Sequence, residues 1–160
     1  TGSRRIAFVG GPNHLDMVKR RKHGYIEALH ENRIEIDRSL VECHKIDFDT
    51  AYESMLRLLS LPVPPDAVLA FNDIISFAVM EAIKSRGLRI PQDVALIGFT
   101  DERHAEFVTP KLSAIMDQAH ETGIRTCQLL LNNINGDKTI HKEIVPMILK
   151  IRESSSKFSK

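Results

Sequence analysis

Four short polar clusters punctuate this chain, each at the junction after an apolar run. They are Gly10-Gly11-Pro12-Asn13, with Arg21 about a turn and a half into the segment that follows, then Asp47-Phe48-Asp49, Asn72-Asp73 and Thr100-Asp101. Together they offer a guanidinium, an aromatic face, a carboxamide, a hydroxyl and several carboxylates. That set suits a hydroxyl-rich small molecule. An aromatic ring stacks on the apolar face of a sugar, while Asn, Asp and Arg form planar hydrogen-bond pairs with hydroxyls. The candidate ligand contacts are Arg21, Phe48, Asn72, Thr100 and Asp101.

Each of these residues has a plainer use. Arg21 shares a helical side with Met17 and Gly24 and can simply pair with a rim carboxylate. Phe48 can be a core aromatic beneath a helix. Asp73 reads first as a helix N-cap, and Asp101 can tie down its loop. Other chemistries find less support. Gly10-Gly11 lacks the dinucleotide fingerprint and the Lys-Ser/Thr of a phosphate loop. The seven histidines are scattered without zinc-type spacing. No Ser/His/Asp grouping lies on a nucleophile elbow. The expectation is a binding protein, not an enzyme, with no cofactor and no metal.

The clusters matter only if the fold brings them together. Ile6–Val9 is a continuous apolar run, as expected of a strand buried on both faces, and a helical stretch from about Leu15 to Glu31 follows. Leu40–Cys43 is a second strand, and Asp47 or Asp49 can cap the helix containing Tyr52, Met55, Leu56 and Leu59. Ala67–Phe71 is a third strand. Asn72-Asp73 opens a helix through Ile83 that Gly87 closes. Val94–Phe99 is a fourth strand. A loop of about ten residues then leads to a strand at Leu112–Met116, a helix over His120–Asn135 and a last strand near Val145–Ile151. The Ser/Lys-rich end from Ser154 is expected to fray. Alternating strands and helices with short links imply an α/β fold: a parallel, doubly wound sheet of flavodoxin-like order. In such a sheet ligands bind outside the carboxyl ends of the strands, so all four clusters should share one rim.

Composition agrees with one soluble globular domain. Of 160 residues, 42% are hydrophobic and 27% charged, and the formal net charge is +1. No basic stripe marks a nucleic-acid surface. No apolar run approaches the roughly 18 residues of a membrane span. Cys43 and Cys127 read as reduced, packed thiols. Thr1-Gly2-Ser3 resembles a cloning remnant.

The segments Arg5–Pro12, Arg21 with Gly24-Tyr25 and Ala28-Leu29, Pro65–Asp73, Gly87–Phe99, Pro110–Ile115 and Arg152–Ser154 together resemble the LacI/GalR family of transcriptional repressors. The similarity runs from about Arg5 to Ser154. It implies the C-terminal lobe of a periplasmic-binding-protein-like effector domain over residues 4–116, and a segment, 117–143, that packs on an N-terminal lobe outside this chain. It further implies a returning strand at 144–153 and a tail at 154–160, with the DNA-binding domain also lying outside this chain. Arg21, Phe48 and Asn72 match the family's effector contacts. Thr100 stands where the family usually has Asp, with Asp101 behind it, and Asp117 precedes Gln118 where the family has Gln. Phe77, Phe107 and Val108 match the region that forms a homodimer, although Phe77 can equally be core. The apolar stripe Ile124, Cys127, Leu131 and Ile134 should lack its natural cover. The resemblance thus implies a cytoplasmic regulator that binds a sugar or sugar derivative, reaches operator DNA only through the absent domain, and makes no membrane contact. The rival reading is the solute-binding protein of a sugar transport system.

Overall fold

The computed structural model describes residues 2–100 and 102–156. Its elements run β1 (Ile6–Gly10), α1 (Asp16–Glu31), β2 (Val41–Cys43), α2 (Phe48–Leu59), β3 (Ala67–Ala70), α3 (Asp73–Ser85), β4 (Ala95–Phe99), α4 (Glu102–Phe107), β5 (Ser113–Met116), α5 (Ala119–Ile134) and β6 (Ile148–Lys150). The sheet order is β2-β1-β3-β4-β5-β6. The first five strands are parallel, with Phe8 opposite Val41, Ala7 opposite Val68, Leu69 opposite Ile97 and Gly98 opposite Ala114. The doubly wound order expected from the strand–helix rhythm is therefore present. The last strand departs from it: β6 runs antiparallel to β5, pairing Met116 with Ile148 and Ala114 with Lys150.

Alternation along the strands sorts the core. Ala7, Val9, Val68, Ala70, Leu96 and Ala114 point to one face, where Met55 and Leu58 of α2 and Ile75, Val79 and Ile83 of α3 cover them. Gly98 is required there, because a Cβ would come within 2.1 Å of Ser76 Oγ on α3. Phe8 points to the other face under Tyr25 and Leu29 of α1, with Ile6 and Leu69 beside them. Tyr25 also donates from its hydroxyl to Ile6 O at 2.7 Å. On this second face α1 is the only covering helix among the described residues. Beyond it, Leu69, Ile97, Phe99 and Ile115 line an open apolar groove of about 890 Å3.

Local signals explain the boundaries. Asp47 caps α2 by accepting from Thr50 N–H at 2.7 Å, and Gly87 leaves α3 with a φ of +70° that glycine adopts without strain. Three expectations need correction. Asn72, not Asp73, is the N-cap of α3: its Oδ1 accepts from Ile75 N–H at 3.1 Å, and Asp73 is the first helical residue. The connection after Phe99 is not a plain loop, because α4 forms within it and buries Ala105. Ser154 and Ser155 are not frayed. Both are buried in a short 3-10 turn.

That turn fastens the end of the described chain to the sheet. Ser113 N–H donates to Ser154 Oγ at 2.8 Å, and the Ser154 hydroxyl donates to Leu96 O at 2.6 Å. Ser113 and Ser155 hydroxyls meet at 2.7 Å. Truncating Ser154 strands a buried N–H and a buried carbonyl together. Ser154→Ala is therefore expected to lower stability by about 2 kcal/mol in urea titrations followed by circular dichroism.

Candidate functional site

At the carboxyl ends of β3, β4 and β5 lies a cleft of about 530 Å3. Three of the four sequence clusters contribute to it through Arg21, Asn72 and Thr100, and Asp73 and Asp117 also line it. Arg21 reaches it from α1. Its guanidinium stacks 3.7 Å from the Phe99 ring centroid and 4.7 Å from that of Phe71, and it donates to Phe71 O. Burial pushes the pKa of Arg21 down, and the charge of Asp117 opposes that shift. An arginine stays charged through such a perturbation. Arg21 is thus held by two rings and a carbonyl, with a carboxylate facing it.

Asn72 has two tasks. The capping bond uses Oδ1, which leaves the carboxamide N–H2 as the part offered to a ligand. Asp73, next along, meets His104 Nδ1 at 3.3 Å. Thr100 is 7% exposed, and its hydroxyl oxygen is buried without a hydrogen-bond partner among the described residues. A buried hydroxyl in that state is unusual, since most find a partner. The remaining walls are apolar, from Met17, Ile74, Ile115 and Met147.

Phe48 lies elsewhere. It is the first residue of α2, is 42% exposed, and stacks on Tyr52 with ring centroids 6.3 Å apart. It does not line the cleft, and it is not under a helix either. β2, which leads to it, is the outer strand beyond β1, so Phe48 is displaced by about two strand spacings, roughly 10 Å, from the end of β3. Asp101 lies outside the described residues. Sequence reasoning missed Phe71 and Phe99 as site residues. Their signal was available: each aromatic ends an apolar strand run beside a polar cluster.

The residues matched to a homodimer form no single surface type. Phe77 is half-buried against the core and meets the His104 ring edge-on at 6.3 Å. Val108 is also partly buried, whereas Phe107 is 85% exposed. No group of three or more metal-ligating side chains occurs among the described residues, and none of their helices is long and apolar enough to cross a membrane.

Residues 1–155 match the model of the periplasmic binding protein-like domain. The chain belongs to that family. It is 32% identical over 158 residues to the HTH-type transcriptional regulator CelR of Thermobifida fusca, covering 96% of this chain and 46% of the relative. It is 30% identical to the HTH-type transcriptional repressor CytR of Escherichia coli K12, over 84% of this chain and 40% of CytR. Among solved structures, a CelR–cellobiose complex superposes with a TM-score of 0.85 at 32% identity, over 96% of this chain and 47% of that one. A LacI-family regulatory protein from Chloroflexus aggregans superposes with a TM-score of 0.90 at 30% identity, over 97% of this chain and 56% of that one. The chain thus spans less than half the length of these curated relatives. The resemblance to LacI-type regulators drawn from the sequence agrees with these matches.

The stranded Thr100 hydroxyl generates a direct test. Replacing it by an isosteric methyl removes a buried polar group that has no partner among the described residues. Thr100→Val is expected to raise the stability of the unliganded chain by about 1 kcal/mol in urea unfolding. A drop of that size instead would mean that the hydroxyl already has a partner.

Proposed function

We propose that this chain is the effector-binding part of a cytoplasmic transcriptional regulator, and that its cleft receives a hydroxyl-rich small molecule such as a sugar. The single observation that supports this most is the buried hydroxyl of Thr100, without a hydrogen-bond partner among the described residues, in the same cleft as Arg21 and Asn72. A ligand hydroxyl completes it. Around it stand a fixed guanidinium, a carboxamide, carboxylates that accept from hydroxyls, and apolar walls for C–H faces. The relatives named as repressors and regulators favour this reading over a transport protein, and the cellobiose complex of CelR supports the choice of ligand class.

In this reading the mechanism is linkage. The ligand has to bind one arrangement of the regulator better than another, or nothing switches. DNA contact belongs to a part of the regulator other than this chain, and Phe107 and Val108 form part of the surface between two regulator copies. The measurement is taken up to millimolar ligand. In 15N NMR titrations with mono- and disaccharides, the amide of Thr100 and the side chains of Arg21 and Asn72 are expected to shift together. Thr100→Val should weaken that binding about 10-fold, the worth of one hydrogen bond in a buried site. Sugar-induced shifts confined to other surfaces would overturn the assignment, as would specific operator binding by this chain alone in a gel-shift assay.

A further inference from the structure

A second cavity, of about 640 Å3, lies at the other end of the sheet from the cleft. It sits between the entry to β1 and the connection from α1 to β2. Arg4, Arg5, Arg33 and Arg38 line it, together with Glu35 and Asp37. Ile34, Ile36 and Leu40 supply its apolar part. Arg21 at the cleft and Arg33 at this cavity are about 18 Å apart along α1 and its end, at 1.5 Å per residue.

The backbone around the cavity is fixed by contacts within the chain. Arg4 N–H and Arg5 N–H both donate to the Asp66 carboxylate, at 2.9 and 3.0 Å. Arg33 N–H donates to His30 O at 3.0 Å, and Ile34 N–H donates to Leu29 O at 2.9 Å, which closes α1. Asp37 caps the 3-10 turn Arg38–Leu40 by accepting from Ser39 N–H at 2.9 Å.

The charges on this frame do not balance. Asp37 is already engaged: its Oδ1 accepts from the Ser39 hydroxyl at 2.6 Å, and its Oδ2 accepts from Arg5 Nη2 at 3.0 Å. Arg5 also donates to Val63 O at 2.9 Å, and its Nε is buried without a partner among the described residues. No ion pair among the described residues engages the side chains of Arg4, Arg33 or Arg38. Four guanidinium groups against two carboxylates leave two positive charges over, on a chain whose formal net charge is only +1. Like charges gathered in this way oppose the compact state.

Arg33 also sits where an arginine is disfavoured. It follows the C-cap of α1 with a φ of +55°, the one positive φ among the described non-glycine residues. Glycine takes that conformation freely, and a residue with a Cβ does not. A cation is favoured near a helix C-terminus, but the last turn of α1 could hold one without this strain.

We propose that this cavity is a binding site for a small phosphate-bearing molecule, separate from the cleft at the carboxyl ends of the strands. A guanidinium presents a planar fork of N–H donors that fits phosphate oxygens. A phosphate monoester carries close to two negative charges at neutral pH, which answers the excess that the cavity holds. The volume falls in the range of small-molecule pockets, about 300–1,000 Å3, so it takes more than the phosphate group alone. Ile34, Ile36 and Leu40 offer the carbon part an apolar surface, and Glu35 offers an acceptor for a hydroxyl. This site goes beyond the ligand reading of the cleft and does not rest on it.

Two measurements on the chain test it. In urea unfolding, phosphate is expected to raise the midpoint saturably above that in chloride of equal ionic strength, because a ligand of the folded state stabilises it by mass action. In 15N NMR titrations, glucose 6-phosphate is expected to shift the amides of residues 33–38 and of Arg5, whereas unphosphorylated glucose leaves them in place. Arg38→Gln should weaken phosphate binding about 10-fold, the worth of one charge-assisted hydrogen bond. Arg33→Gly should weaken it as much while raising the midpoint in chloride, since it relieves the backbone, so lost binding is separated from lost folding. Shifts at Arg21, Asn72 or Thr100 report on the cleft and do not bear on this site. Equal midpoints in phosphate and chloride overturn the proposal. A phosphate effect that both variants keep in full overturns it as well, because phosphate then acts only by its general exclusion from protein surface. So does glucose 6-phosphate that leaves residues 33–38 unmoved.

Discussion

The site depends on β1, β3, β4 and β5 running in the same direction with their carboxyl ends level. Parallel pairing of Val9 with Ala70, Ala70 with Gly98 and Phe99 with Ile115 places residues separated by dozens of positions at one edge. Nothing local in Asn72 or Thr100 makes them neighbours. The covered face of the sheet supplies that constraint, because Val68, Ala70, Leu96 and Ala114 are buried only in this register. A slip by one residue would turn each of them to the opposite face.

Within the cleft, Arg21 is held more firmly than a surface arginine would be. Its position between Phe99 and Phe71, with the Phe71 carbonyl as acceptor, fixes a side chain that otherwise carries several rotatable bonds. A ligand that meets a guanidinium already in place loses less of its binding energy to ordering. The burial that pushes the Arg21 pKa down is the electrostatic counterpart of this arrangement. Charge is kept away from water, which strengthens whatever hydrogen bond it makes next.

Much of this was legible in the residues. Continuous apolar runs marked the strands, and Asp47 and Gly87 marked helix ends through chemistry that operates over a few positions. What escaped was decided by tertiary contact. Asn72 and Asp73 are both competent caps, and only the backbone path chose Asn72. Ser154 and Ser155 read as solvent residues by type, yet they are buried because Ser113 and Leu96 provide partners about 40 to 60 positions away. Phe48 follows a strand as the other cluster residues do, but that strand, β2, is the outer one beyond β1, and residue type alone does not reveal how far its end lies from those of β3 and β4. Phe71 and Phe99 close apolar runs, and such a run does not show which of its members faces a guanidinium.

The antiparallel pairing of β5 with β6 carries a mechanical consequence. The outgoing and returning backbones lie side by side as one narrow ribbon, locked at its base by Ser113, Ser154 and Leu96. A single linker would let α5 swing freely in any direction. A two-stranded ribbon bends readily only across its flat face and twists along its axis, so whatever α5 grips is steered on a restricted arc over the cleft.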